Sequence, residues 1–329
     1  MNQAEIIRKK RLYKIAQSLQ VKKAWDFFED VGIFAVTLAN RKTPFYCVFL
    51  FETIVVCPNQ AALKGLFYLS EQDMMPEIQR LRYQQHLICY FIDENEFLEI
   101  GDASMEDLAI EAIDHKFPVF ESAMPGVLPD ELIKAEIQTM TDILKQIETS
   151  MDEIEAIRAL NHSIDTHMVH RYFDFDQKQW TFDLLDMVDD SLNVKALDVE
   201  EELLEKAKTQ EKIDETWEID VAYTPLMVDK KEGHRQGVVR VLLLANSDKQ
   251  QILNQQLITL KDDANRLLVD YLVASILQRG IPKEVVVRDS IVEMLIKNVS
   301  DLLDLKVVVN QKLPTIDLYV EELSNQSMQ

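Results

Sequence analysis

The chain has 329 residues, 47% of them apolar and 28% charged, a composition that supports buried cores and excludes a disordered or fibrous polymer. That length suits at least two domains of ordinary size. With 35 Lys and Arg against 57 Asp and Glu the formal charge is −22, a field that repels phosphate backbones and anionic lipid, so nucleic acid and a membrane surface are disfavoured as partners.

The first 23 residues oppose this trend. Arg8, Lys9, Lys10, Arg11, Lys14, Lys22 and Lys23 face Glu5 alone, a local charge of +6. Ile6, Ile7, Tyr13, Ile15, Ala16 and Leu19 recur at helical spacing, which predicts an amphipathic helix whose basic face docks on the acidic body or stays solvated. No apolar core with a small-residue cleavage site follows, so a secretory signal is not expected. The most apolar stretch, 46–57, is broken by Glu52 and is too short to cross a bilayer as a helix. Cys47, Cys57 and Cys89 each sit in an apolar run, which predicts buried free thiols in a reducing compartment and a cytoplasmic location.

Residues 1–150 are expected to form an α+β domain around an antiparallel sheet. Its strands are Ile33 to Leu38, Phe45 to Phe51, Thr53 to Cys57 and His86 to Ile92, rich in β-branched and aromatic residues. Helices are expected over Ala61 to Ser70 and Met105 to Ile113. The stretch from Phe117 to Pro129 is expected as an apolar, proline-bracketed loop that covers a sheet edge or lines a ligand groove. Asp130 is expected to cap a periodic helix carrying Leu132, Ile133, Ile137, Met140, Ile143, Leu144 and Ile147.

Residues 151–215 are expected as a helix, a hairpin (Met168 to Phe175, Gln179 to Leu185) and an acidic connector. From Asp186 to Glu215 eleven acids oppose four lysines, a charge of −7, with helical periodicity near Val199 to Lys208. Residues 216–329 are expected as a mixed-sheet α/β domain. Strands Trp217 to Tyr223, Val238 to Ala245 and Gln250 to Ile258 precede a helix, Asp262 to Gln278, stopped by Gly280 and Pro282. Strand Glu284 to Arg288, helix Ile291 to Leu303, strand Lys306 to Val309 and helix Ile316 to Leu323 complete the order β-β-β-α-β-α-β-α. Alternation of this kind implies parallel strand pairs. Trp25, Trp180 and Trp217 are expected as core or interface anchors.

Seven glycines form neither G-x-G-x-x-G nor G-x-x-x-x-G-K-[ST], and no G-x-S-x-G, H-E-x-x-H, C-x-x-C or EF-hand loop occurs. The densest polar cluster runs from Asn161 to Arg171, where His162, Asp165, His167 and His170 are competent metal ligands. Their spacing is irregular across an expected helix-to-strand junction, which predicts incidental surface side chains ahead of a metal site.

In the last domain, Trp217-Glu218-Ile219-Asp220 resembles the W-x-x-D of integrase cores, and the stretch Gly280 to Asp289 resembles their G-x-P-x-x-[apolar]-x-x-D. Together with the element order, these residues make the domain similar to the ribonuclease H-like fold. The resemblance implies a carboxylate set of Asp220, Asp289 and Asp317, Glu321 or Glu322 around two divalent ions, Mg or Mn. The chain departs from that pattern at Ser290, where the family carries Asn-Gly, and at Arg288, which can neutralise Asp289.

At whole-chain scale the sequence resembles a family of uncharacterised bacterial proteins with two consecutive domains of unknown function. The N-terminal likeness rests on Trp25-Asp26-Phe27-Phe28, on Pro118-Val119-Phe120-Glu121-Ser122 and on Pro125-Gly126. The C-terminal likeness rests on Val241 to Ala245, on Gly280-Ile281-Pro282-Lys283, on Val287-Arg288-Asp289 and on Leu313-Pro314-Thr315-Ile316-Asp317. That family carries no established activity. The expected function is therefore a non-catalytic binding or interaction protein acting on a protein partner or small ligand, with a homodimer left open. The alternative is a divalent-metal-dependent phosphoesterase or nuclease of ribonuclease H type, using Asp220, Asp289 and one of the helical acids.

Overall fold

A computed structural model describes residues 3–100, 108, 110–160, 162–187, 194–228, 235–259 and 261–327. The first half of the chain carries α1 (Gln3–Val21), α2 (Ala24–Phe28), β1 (Phe34–Thr37), β2 (Phe45–Leu50), β3 (Thr53–Cys57), α3 (Gln60–Ser70) and α4 (Glu77–Arg80). After these come β4 (His86–Asp93), α5 (Glu94–Ile100), β5 (Lys116–Met124), β6 (Val127–Asp130), α6 (Lys134–Asp152), α7 (Ile154–Ala159), β7 (His167–Asp174) and β8 (Gln179–Asp186). The second half carries α8 (Glu201–Lys208), β9 (Lys212–Met227), β10 (Val238–Asn246), β11 (Gln251–Ile258) and α9 (Ala264–Arg279). It ends with β12 (Ile281–Val287), α10 (Ser290–Leu295), α11 (Lys297–Leu303), β13 (Lys306–Val309) and α12 (Pro314–Ser327).

These elements divide into two units that interleave along the chain. Unit 1 takes Met1–Leu66, Gln85–Ala123 and Pro129–Asp190; unit 2 takes Phe67–Gln84, Met124–Leu128 and Ser191–Gln329. Both contain helices and a sheet of mixed orientation, the α+β class that the element pattern implied.

The sheet of unit 1 runs in the order β6-β5-β4-β3-β2-β1-β7-β8. From β5 to β1 every pair is antiparallel, as the β-branched runs indicated, but β1 and β7 pair parallel, with Phe34 opposite Val169. The sheet is thus mixed rather than antiparallel, because the hairpin expected as connector joins it through β7. One face is set by strand alternation: Phe34, Val36, Cys47, Ile54, Val56 and Cys89 pack with Leu12, Ala16 and Leu19 of α1 and Met140, Ile143, Leu144 and Ile147 of α6.

Other local expectations change for identifiable reasons. The expected loop after Phe117 is largely extended, with β5 turning at Pro125-Gly126 into β6, and Gly126 holds φ 78 there. Helix α6 starts at Lys134 rather than after Asp130, and the Glu136 carboxylate reaches back to accept from Ile133 N at 2.9 Å. Of the helix expected over 105–113, residues 105–107 and 109 lie outside the described residues, while 110–112 carry no regular structure and Ile113 forms an isolated bridge with Lys116, so the helix does not extend through that end.

Unit 2 contains a five-stranded sheet in the order β11-β10-β9-β12-β13. The pairs β9–β10 and β10–β11 are antiparallel, while β12 runs parallel to both β9 and β13, placing Val285 beside Val307 and Val286 beside Val308. Helices cover both faces. Trp217, Ile219, Leu242, Leu244, Val285 and Val287 pack with α9, α10 and α11 on one side. Ala222, Leu243 and Ala245 pack with Leu313, Ile316 and Val320 of the α12 region on the other. At the α9–β12 junction Gly280 holds φ 111, and a Cβ there would lie 2.8 Å from Glu211 O, so no other residue fits without displacement.

The acidic stretch expected as an exposed connector is partly core. Val194, Leu197, Val199, Leu203 and Leu204 pack into unit 2, and β9 begins at Lys212, so few positions remain for a linker. The three cysteines are free and buried. Among the described residues no helix is long and apolar enough to cross a membrane.

Candidate functional site

The site grows from the central strand of unit 2. Alternation along β9 sends Trp217, Ile219 and Val221 to one face and leaves Glu218 and Asp220 on the other, both of them buried. Strand β12 ends at Val287, which delivers Arg288 and Asp289 into the same region. Asp289 caps α10, accepting from Val292 N at 2.9 Å. Asp317 lies in the first turn of α12 and accepts from Leu313 N at 2.9 Å. A fourth contributor is the segment around α4, which supplies Gln79, Arg82 and Tyr83.

Two guanidiniums hold these acids together. Arg288 has no exposure and donates to Asp220 Oδ2 and Asp317 Oδ1, each at 2.6 Å, and to Gln311 O at 2.8 Å. Arg82 meets Asp220 with both terminal nitrogens, at 2.9 and 3.1 Å, and lies 3.5 Å from Asp289. The remaining Arg82 donors go to Gln79 O, Gln79 Oε1 and Val221 O. Tyr83 donates its hydroxyl to Asp289 Oδ2 at 2.5 Å. Gln79 secures the segment by exchanging hydrogen bonds with the backbone of Tyr223, donating at 2.8 Å and accepting at 2.9 Å. Nearby, buried Glu218 accepts from Thr315 N and Ile316 N, each at 3.0 Å, and so anchors the start of α12.

The electrostatics follow from this pairing. Burial alone would push the Asp220 carboxyl up, yet Arg82 and Arg288 outweigh it and hold the group down at about 2. Burial would likewise lower Arg82, but the Asp220 charge keeps it well above its ordinary value. Burial and the Asp289 carboxylate push the Tyr83 hydroxyl far up, so it stays a neutral donor. Tyr68, edge-on to Tyr83 at 5.0 Å, is raised to about 12 by burial and then by Asp289. None of these groups titrates near neutrality, the behaviour a general acid or base would need.

Asp220, Asp289 and Asp317 are therefore linked to one another through Arg82 and Arg288. Hard divalent ions need free carboxylate oxygens. Here both oxygens of Asp220 accept from guanidinium, both of Asp317 face Arg288, and those of Asp289 are taken by Tyr83 and Val292 N. The residues do not fit Mg or Mn. Glu321 and Glu322 are exposed on α12, apart from the network.

The histidine cluster does not converge. His170 is buried and hydrogen-bonded to Thr37 at 2.8 Å and Asp183 at 2.7 Å. His167 is three residues away on the same strand, hence on the opposite face, and meets Thr166 at 2.8 Å. Asp165 is exposed, and His162 lies before the strand begins. Among the described residues no group of three or more His, Cys, Asp or Glu side chains is placed to hold a metal ion.

Beside the arginine network lies a cleft of about 360 Å³, lined by Arg82, Tyr83, Tyr223, Arg240, Asn265 and Leu268 among others. Sequence reasoning missed Gln79, Arg82 and Tyr83. They carry no motif, and Arg82 stands 138 positions from Asp220 in the chain. The one local signal was Arg288 next to Asp289.

Residues 10–171 match the family model of a domain of unknown function (DUF7309), and residues 203–324 match that of a second domain of unknown function (DUF6930). The chain carries these two domains consecutively. No curated protein and no solved structure matches it.

Proposed function

We propose that this chain is a non-catalytic binding or interaction protein of the cytoplasm, acting on a protein partner or small ligand. In this reading unit 2 is a ribonuclease H-like scaffold in which arginines stand where that fold would hold metal ions. The element order β-β-β-α-β-α-α-β-α supports the scaffold, as does the placement of Asp220 on the first strand, Asp289 after the fourth and Asp317 on the last helix. One observation carries the loss of catalysis: Arg288, with no exposure, bridges Asp220 and Asp317. A buried guanidinium stripped of its carboxylates is strongly unfavourable, so metal entry would have to break this network. The cleft beside Arg82 offers the concave, mixed-polarity surface that a small ligand requires. Three buried free thiols, Cys57 among them with burial raising it to about 12, support a reducing location.

The test is a thermal melt with and without millimolar MgCl2 or MnCl2, run beside a phosphodiester-cleavage assay. A ion bound only to the native state must raise the midpoint. The expected result is an unchanged midpoint and no cleavage. A metal-dependent rise, or cleavage abolished by Asp220→Asn in a variant that still folds, would establish the nuclease alternative instead.

A further inference from the structure

Unit 1 carries a row of cations on α1 of which several make no ion pair among the described residues. Along α1 Lys9 pairs with Glu131 at 3.2 Å and Lys22 with Asp152 at 3.0 Å. Lys10, Arg11 and Lys14 make no ion pair among the described residues, and Arg11 and Lys14 are exposed. Their spacing with Ile7 is i, i+3, i+4 and i+7, which places all four on one face of the helix. Ile7, expected from its spacing to face the core, is instead 62% exposed, because Leu12, Tyr13, Ile15, Ala16 and Leu19 define the buried face. That outer face borders α6 across an open groove of about 520 Å³, whose other wall includes Lys145 and Glu148. Glu148 is already engaged, accepting from Ser18 and Lys145 at 2.6 Å each. The groove thus presents cations around an apolar spot.

We propose that the α1–α6 groove docks an acidic, amphipathic helical segment of a partner protein, with carboxylates on Lys10, Arg11 and Lys14 and an apolar side chain on Ile7. Charge complementarity selects the class of occupant. A chain of net charge −22 repels long polyanions, while a short acidic segment meets mainly the local field, which salt screens beyond about 10 Å. Single-stranded nucleic acid is held by aromatic platforms as well as cations, and the only aromatic residue of α1, Tyr13, is buried. A membrane-lying helix needs a broad apolar face with bulky residues, and this face offers Ile7 alone. The chain's own acidic stretch is committed elsewhere, with Val194, Leu197, Val199 and Leu203 packed in unit 2. A helix laid in a groove by i, i+3, i+4 and i+7 anchors is the recognition mode that remains. This docking site is independent of the reading given to unit 2.

The experiment uses the full chain and a fluorescent peptide of about 16 residues, long enough for four helical turns, with Glu and Leu on one face and Ala elsewhere. Poly-U RNA and vesicles containing phosphatidylserine serve as the other probes. Fluorescence anisotropy should show peptide binding that weakens with salt. The triple variant Lys10→Glu/Arg11→Glu/Lys14→Glu should lower peptide affinity by about tenfold or more, while Lys22→Glu, beyond the groove, should change it less than about twofold. If charge reversal lowers the thermal midpoint, the Gln triple at the same positions carries the test, with a loss of the same direction. No peptide binding, equal binding by the triple variants, or RNA or vesicles bound more tightly through the same residues would each overturn the proposal.

Discussion

Each unit buries one arginine almost completely, and the two are held differently. Arg171 in unit 1 is 1% exposed and meets Glu153 in a paired contact at 2.8 and 3.0 Å. Its flanks are covered by Gln146 and by the rings of Phe182 at 4.7 Å and Trp180 at 5.7 Å. The Glu153 side chain keeps 40% of its exposure, so one end of that pair stays wet. Arg288 in unit 2 has a wholly buried partner in Asp220, which is shared with Arg82. One guanidinium is thus moored at the rim, and the other sits in a network of two cations and three acids in which Asp220 and Asp289 are fully buried and Asp317 keeps 24% of its exposure. A rim pair loses only what its geometry adds over solvation, whereas breaking a buried pair strands charge in a low-dielectric interior.

The largest expected effect comes from removing the shared acid. Asp220→Ala leaves Arg82 and Arg288 facing each other without their common anion, and should cost about 3–5 kcal/mol in chemical denaturation. A cost below about 1 kcal/mol would mean that the network is solvated and the contrast with Arg171 is false.

Acid provides the next contrast. Asp220 sits at about 2 in the folded chain against an ordinary 3.8, so its folded value is depressed. Its contribution is complete above the unfolded value and is lost as pH falls from near 4 through about 2, roughly 2 kcal/mol in all. Stability measured across that window should decline in the wild type, with the part due to Asp220 absent in Asp220→Asn. Identical slopes for the two proteins would remove the arginine pairing as its cause.

The smallest effect is expected at the rim. Arg171→Met keeps the apolar contacts with Phe182 and Trp180 and lets Glu153 hydrate, so its cost should be about 1–2 kcal/mol. Should it equal the cost of Asp220→Ala, partial exposure of the acid would not be what separates the two sites.

Much of the fold could be read from local patterns. The β-branched runs ending at Cys57 and the helix stopped by Gly280 depend on period and turn chemistry, which neighbours in sequence decide. Strand partnership was harder. Met168 to Phe175 reads as a hairpin arm, but nothing in it announces the parallel pairing of β7 with β1, because register depends on which apolar face finds cover. The acidic stretch misled for a related reason: its charges dominate the composition, while Val194, Leu197, Val199 and Leu204 are enough to fasten it to a core. At the site, the resemblance pointed to Asp220, Asp289 and one of Asp317, Glu321 and Glu322 without deciding among the helical three. Their occupant was not identifiable, since a guanidinium from 138 residues upstream carries no local signature.

The sequence by itself determined that the chain is an acidic α+β protein, that its last domain alternates strands and helices, and that Asp220 and Asp289 sit in and just past two of its strands with acids on the last helix left undecided. Periodicity and capping are short-range properties, and they suffice for that much. Only the tertiary structure decided what those carboxylates face. Whether a buried acid binds a metal ion or an arginine depends on which cation the folded chain brings within about 3 Å, where pairing outweighs the cost of desolvation.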